Sequence, residues 1–341
     1  MTKGRSPLRP LNLGLQGGGA HGAFTWGVLD ALLEDGRITF DGISGTSAGA
    51  MNAVVLAHGL LQGGNDGART ALADFWQGVA GRSPFEIALP SPDGKDFRLN
   101  PAIKMMLRWT HHLSPSQLNP FDFNPLRDLL AEQIDFARLR THSPVRLFIA
   151  ATHANSGKLR LFREDELSID AILASACLPT IHRAVIIDDE PYWDGGYSAN
   201  PAVFPLIHNC RSQDILLVLL TPLRHAETPD SATEIKNRIL DVAFNATFLR
   251  EMRMFADLRQ VVDRSWMCFG KLERHIAHTR FHIIDAEELI NELGADTKLA
   301  ASLQFFHMMR DHGRERAKTW LRTQFLRLGK ASTVDIEKLF R

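Results

Sequence analysis

The sequence predicts an α/β fold with a mainly parallel central sheet, and two observations carry that expectation. The first is a unit that occurs twice near the start of the chain: a short apolar strand, a tight glycine-rich turn and a helical pattern. The second is the later chain, where strand-like apolar runs return with helical patterns between most of them. Parallel neighbours need a long crossover to bring the chain back to the same edge, and a helix between strands supplies it.

In the first unit, residues 11–16 alternate as a strand, and four glycines then fall within positions 17–22. Residues 22–35 place Phe24, Val28, Leu29, Leu32 and Leu33 at spacings of three and four, a helical period that Glu34-Asp35-Gly36 ends. The second unit repeats the order, with "FDGISG" as strand and turn and "TSAGAMNAVVLAHGL" as helix. Residues 43–65 contain no Asp, Glu, Lys or Arg. Ser44, Thr46, Ser47, Asn52, His58 and Gln62 nevertheless make this a poor membrane span and a reasonable buried helix.

Between 81 and 125 the composition shifts, with prolines at 84, 90, 92, 101, 115, 120 and 125 around Met105, Met106, Trp109, Phe121 and Phe123. This reads as an inserted loop-and-helix cap. Strand patterns return at 144–154, 158–162, 183–189, 214–221 and 280–285. Residues 234–262 place Ile235, Ile239, Val242, Phe248, Met252, Phe255, Leu258 and Val262 roughly on one stripe, which predicts a helix packed on the sheet. The expected organisation is a core over 11–221, followed by a mostly helical region over 222–341 that packs on it and holds a strand near 280–285.

Lys plus Arg equals Asp plus Glu at 39 each in 341 residues, so no global field argues for a nucleic-acid partner. Residues 301–341 are locally basic, with nine Lys and Arg against four Asp and Glu, which leaves peripheral contact with an anionic membrane surface open. Cys177, Cys210 and Cys268 lie far apart without metal-ligand spacing, so neither a disulfide framework nor a zinc site is expected. A reducing compartment follows, and the interrupted N-terminal apolar run lacks the pattern of a signal peptide. The expected location is cytoplasmic.

The glycine turn fits G-x-G-x-x-G at Gly17, Gly19 and Gly22 between a strand and a helix, the setting of a dinucleotide fingerprint. Asp41, near the expected distance for a ribose-binding acid, falls at the start of the next strand instead of its end, which counts against that reading. The second turn is a G-x-S-x-G, Gly45-Thr46-Ser47-Ala48-Gly49. A serine on a sharp strand-to-helix turn has its hydroxyl exposed above the sheet at the positive end of a helix. If the two strands are parallel neighbours, both turns share one sheet edge. The N–H groups of Gly18 and Gly19 then face the space above Ser47 as an oxyanion hole. The serine needs a base. Fourteen histidines leave a Ser-His-Asp triad open, while "YWDGGYSANP" projects Asp194 from the end of a short strand ahead of a Gly-Gly turn.

With these pieces in place the chain resembles the patatin-like phospholipases. The matching segments are "GGGAHG" at 17–22, "GTSAG" at 45–49, "ASACLP" at 174–179 and "DGG" at 194–196, in that family's order. "NPLRDLL" at 124–130 and "SANPAV" at 198–203 also resemble bacterial members, so the likeness runs from residue 11 to about 221. It implies a three-layer α/β/α sandwich and hydrolysis of acyl esters of lipids, with no metal and no cofactor. It further implies a Ser-Asp dyad in which Ser47 is the nucleophile and Asp194 the general base. An oxyanion hole at Gly17, Gly18 and Gly19 follows, with His21, Gly22, Gly45, Gly49, Gly195 and Gly196 supporting the turns.

The sequence departs from that family at His21, where Arg or Lys is common. A permanent charge beside the oxyanion turn is thereby exchanged for one expected to titrate near neutrality. His182 likewise stands where an apolar or aromatic residue is usual. Two other readings are carried beside the lipid hydrolase. One is an esterase of small soluble esters using a triad through His21, His153 or His182, and the other is a non-catalytic lipid-binding protein.

Overall fold

The computed structural model describes residues 8–82, 88–90, 97–100, 113–225, 228–264, 270–293 and 295–341. The chain opens with strand β1 (Arg9–Leu15), helix α1 (Gly22–Asp35), β2 (Ile38–Thr46) and α2 (Ala48–Gly81), which kinks at Gly63 and Gly64. A small hairpin, β3 (Ala88–Pro90) and β4 (Phe97–Leu99), and three short helices follow: α3 (Pro115–Leu118), α4 (Pro125–Gln133) and α5 (Phe136–His142). Of the expected cap over 81–125, residues 83–87, 91–96 and 101–112 lie outside the described residues.

The middle of the chain supplies β5 (Arg146–His153), β6 (Leu159–Arg163), α6 (Ile169–Ser175), β7 (Val185–Ile187), β8 (Glu190–Asp194), α7 (Phe204–Asn209) and β9 (Asp214–Leu219). The last third adds α8 (Ala232–Arg264), α9 (Lys271–His278), β10 (Arg280–Asp285), α10 (Glu287–Glu292), α11 (Leu303–Gln324) and α12 (Ile336–Phe340). The sheet runs β10-β9-β1-β2-β5-β8-β7, with β6 also paired to β5. The pairs from β10 to β5 are parallel, and β6, β7 and β8 are antiparallel to their neighbours.

Period-two alternation assigns the two faces of this sheet. Leu13, Leu15, Leu147, Ile149, Leu216 and Val218 point into one apolar core with residues of α1, α2 and α11. Phe148, Ile215, Leu217 and Leu219, each one position out of step, point into a second core with residues of α7, α8 and α12. The result is a three-layer α/β/α sandwich with a helical C-terminal extension. That extension is integral to the sandwich: β10 extends the sheet beside β9, and α11 lies against α1. At their crossing a Cβ on Gly27 would strike the Arg310 carbonyl and one on Gly313 the Phe24 carbonyl, so the two glycines set how closely these helices approach.

The stripe expected on residues 234–262 divides in two. Phe248, Met252 and Phe255 are buried against the sheet and Val262 is buried farther along, whereas Ile235, Ile239, Val242 and Leu258 are exposed. At 100° per residue the first three of the exposed group lie on the side of the helix opposite Phe248 and Phe255, so one apolar face cannot hold them all. Among the described residues no helix is long and apolar enough to cross a membrane.

Candidate active site

The placement of Ser47 and Asp194 follows from how strand β5 is shared. β6 covers one edge of β5 from Phe148 to Thr152, so β2 and β8 occupy the other edge in tandem. β2 ends with Thr46 opposite Ala150, and β8, running the opposite way, ends with Asp194 opposite Ala151. Two strand ends that are 148 positions apart in sequence thereby meet on adjacent residues of a third strand.

Ser47 follows β2 directly and has φ 54° and ψ −120°, a left-handed conformation costly to a residue with a Cβ. Its N–H donates to Ser175 Oγ at 2.9 Å, which ties the strained turn to the end of α6. Thr46 is held too, its hydroxyl donating to the Ala199 carbonyl at 2.8 Å. Gly45 and Gly49 leave the tight turn its room: a Cβ on the first would press on the Gly49 carbonyl, and one on the second on that of Leu15.

Asp194 is buried, and its backbone is pinned from both sides. Its N–H donates to the Cys177 carbonyl at 2.8 Å, and its own carbonyl accepts the Thr152 hydroxyl at 2.8 Å. Its carboxyl accepts the Gly196 N–H at 2.7 Å and lies close to the Ser47 hydroxyl. Burial pushes this carboxyl up to about 7, against the Gly196 N–H and the Ser47 hydroxyl, which both favour its charged form. A Cβ on Gly195 would strike the Ala150 carbonyl and one on Gly196 the Phe244 ring, so the loop after Asp194 has no space for larger residues.

The glycine turn comes from β1, the parallel neighbour of β2. Gly17 lies against Ser47, and a Cβ there would stand 2.8 Å from Ser47 Cβ. Its N–H is engaged, donating to Asn200 Oδ1 at 2.7 Å. This corrects the expectation of three oxyanion donors, because a spent N–H cannot also hold an oxyanion. The N–H groups of Gly18 and Gly19 have no hydrogen-bond partner among the described residues. Gly19 has φ +59° and abuts the Lys298 carbonyl, so both its backbone and its surroundings require glycine. Gly22 begins α1 in contact with Ala48 and Trp76.

Beneath the turn, buried Gln16 closes a polar network. Its carbonyl oxygen accepts the N–H groups of Leu220 and Thr221 at 2.6 and 2.8 Å, and its amide donates to Asn245 at 2.9 Å. Gln16, Ser175, Asn200 and Thr297 carry no sequence signal that marks them as site residues. "ASACLP" and "SANPAV" contain the second and third of these, but nothing in either segment shows which side chain touches the catalytic turns.

His21 departs from expectation. It is buried, with Nε2 2.8 Å from Thr297 Oγ1 and Nδ1 without a partner among the described residues. Burial, reinforced by the nearby charge of Lys298, lowers it to about 3, so it is neutral where a group titrating near neutrality was expected. Neither of the other candidate histidines bonds Ser47. His153 lies between Ser156 and Glu190, at 2.8 and 2.7 Å. His182 lines a cleft of 620 Å³ together with Leu126, Leu129, Leu173, Ala176 and Cys177. Cys177 thus connects that cleft to the backbone of Asp194. Asp41 accepts the N–H groups of Arg211 and Ser212 at the opposite sheet edge, far from the glycine turn. No group of three or more His, Cys, Asp or Glu among the described residues is arranged to hold a metal ion.

No curated protein sequence matches the chain. Among solved structures, VipD from Legionella pneumophila is 16% identical, with 94% of this chain and 68% of that one covered and a TM-score of 0.47. ExoU of Pseudomonas aeruginosa, solved in complex with SpcU, is 15% identical, with 98% and 76% covered and a TM-score of 0.30. The sequence profile of the patatin-like phospholipases matches residues 13–207, more than half of the chain and the part that carries both glycine turns, Ser47 and Asp194. The chain belongs to the patatin-like phospholipase family.

Proposed function

We propose that this protein is a serine lipid acyl hydrolase, of phospholipase A or lysophospholipase type, that works through a Ser47–Asp194 dyad. The observation that carries this reading is the placement, by strand pairing, of the strained Ser47 beside the buried Asp194 carboxyl, with no histidine hydrogen-bonded to either among the described residues.

In the charged form Asp194 accepts the proton of the Ser47 hydroxyl as its oxygen attacks the ester carbonyl. Negative charge develops on the former carbonyl oxygen and is received by the N–H groups of Gly18 and Gly19. These are already oriented by the engaged Gly17 and by Gly19's contact with Lys298. Collapse of the tetrahedral intermediate expels the alcohol, which takes the proton from Asp194 and leaves the acyl group on Ser47. Water then attacks the acyl-enzyme, with Asp194 again accepting the proton, and the fatty acid is released. No step of this scheme requires a metal or cofactor.

Purified protein is to be assayed on phospholipid and lysophospholipid, with release of fatty acid as the readout. Ser47→Ala and Asp194→Asn each remove hydrolysis while leaving the fold intact by circular dichroism, whereas His153→Ala and His182→Ala retain it. Loss of activity in a histidine variant with an unaltered fold would instead establish a triad esterase.

A further inference from the structure

Helix α8 is apolar on two sides, and only one of them is covered. Its inner side is anchored beside the active site: the Phe244 ring packs on Gly196 and on Tyr197, at 4.6 Å between ring centroids, and Asn245 accepts from Gln16 at 2.9 Å. Glu251 fixes the helix further by accepting the N–H groups of Val203 and Phe204 at 3.1 and 2.6 Å. With that side held, the rotation of the helix is set. Ile235, Ile239, Val242 and Leu249 therefore fall within about 80° of one another on the outward side. They are 41, 62, 57 and 39% exposed, and Met254 farther along is 56% exposed. Single exposed aliphatics are ordinary, but an aligned row on one helix marks a surface that is covered in use.

Charge identifies the cover. Lys236, Arg250 and Arg253 border this row, are exposed, and have no acidic partner among the described residues. The helix's acids with described side chains are engaged elsewhere. Glu234 accepts from Ser231, Asp241 pairs with Lys298 at 2.5 Å, Glu251 faces inward, and Asp257 pairs with Arg341 at 3.1 Å. The outward face is thus aliphatic with a positive border. A second copy of the chain paired through it would set like charges against each other, since a two-fold contact joins a face to itself. A surface of anionic lipid instead offers acyl chains to the row and phosphates to the border.

We propose that the outward face of α8 docks the enzyme on anionic lipid, an inference that rests on the lipid hydrolase reading for its purpose. The helix lies directly on the loop that follows Asp194, so docking brings the dyad to within about one helix diameter, roughly 10 Å, of the surface-bound element. This face lies outside the basic stretch 301–341 that the sequence alone offers for such a contact.

The test compares the full chain with the double variant Ile239→Ser/Val242→Ser and with Arg250→Glu/Arg253→Glu. Binding to phosphatidylcholine vesicles, with and without about 30% phosphatidylglycerol, is measured by co-sedimentation, together with hydrolysis of a soluble short-chain ester. Wild-type protein is expected to prefer the anionic vesicles and to lose that preference as salt rises. Both variants lower vesicle binding by at least about tenfold, while soluble-ester hydrolysis stays at the wild-type rate. Variants that bind vesicles as well as wild type overturn the proposal. So does sedimentation equilibrium showing that wild type is a dimer, that the serine variant is monomeric and that vesicle binding is equal. If the wild type binds vesicles but hydrolyses no ester, docking stands and the hydrolase reading fails.

Discussion

Asp194 stands one register position beyond Thr46 along the same edge of β5, opposite Ala151 where Thr46 is opposite Ala150. Ser47 is the next residue after Thr46, so its side chain and the Asp194 carboxyl are juxtaposed by strand pairing itself. Loops that place catalytic groups usually depend on their own internal order, whereas here both groups issue from backbone already fixed by the sheet. The remaining freedom is small: Ser175 holds the Ser47 N–H, and Cys177 and Thr152 hold the peptide groups of Asp194.

A carboxyl raised to about 7 gives a definite pH dependence. The base must be charged to accept the Ser47 proton, so kcat/KM rises with pH through an ionisation near 7 and is flat above it. Stability has the opposite slope. Between the ordinary carboxyl value of 3.8 and about 7 the native state binds more protons than the unfolded state, so stability falls as pH rises through that window. Asp194→Asn removes both effects, leaving an inactive protein in which the opposite pH dependence of the buried His21 is unmasked, so its urea midpoint rises more steeply from pH 4 to pH 6.5 than that of wild type. A wild-type rate profile with its acid limb near 4 would contradict this account of the base.

Gly19 gives a test of the oxyanion hole that is independent of the dyad. Ala at this position meets two obstacles, a φ of +59° and the carbonyl of Lys298. The turn must move, and with it the Gly18 and Gly19 N–H groups proposed to receive the oxyanion. Gly19→Ala is expected to lower kcat by about 10²–10³-fold, with a much smaller change in KM. Gly36→Ala is the control: it shares a positive φ, at +70°, but has open space around it and no connection to the site. It should change thermal stability slightly and turnover not at all.

Much of this site was legible because its chemistry is carried by short patterns. The strand, turn and helix around Gly17 and Ser47 follow from local periodicity, and the parallel pairing of their strands puts both turns at one edge. Asp194 was legible as a strand-end carboxylate, but its tandem placement with β2 was not, because pairing between Ala151 and Asp194 has no local signature. The division of α8 into two apolar faces was blurred for a related reason. Spacing shows that apolar residues recur, and only the packed sheet shows which of them are covered. The occupied N–H of Gly17 depends on Asn200, 183 positions away.

The environment of His21 was the least accessible feature, since its partner Thr297 lies 276 positions along the chain. Its burial reverses the expected pH behaviour. An unfolded imidazole protonates near 6.5, whereas this one is lowered to about 3 by desolvation and the charge of Lys298. It therefore contributes stability that is fully present above 6.5 and is lost as pH falls toward 3. It does not titrate in the working range, so His21→Asn should leave the kcat/KM limb near 7 in place. It should also gain stability relative to wild type as pH falls from 6.5 to 4, because the His21 contribution lost there opposes that of Asp194. His21→Arg differs because it places a permanent charge in the dry space beside Thr297 and Lys298. An unpaired buried charge costs several kcal/mol, so this variant is expected to melt well below wild type at every pH. Thermal melts at pH 5 and 8, with rate profiles of the Asn variant, check both halves. A shifted rate limb in His21→Asn would restore the imidazole as a titrating neighbour of the oxyanion turn.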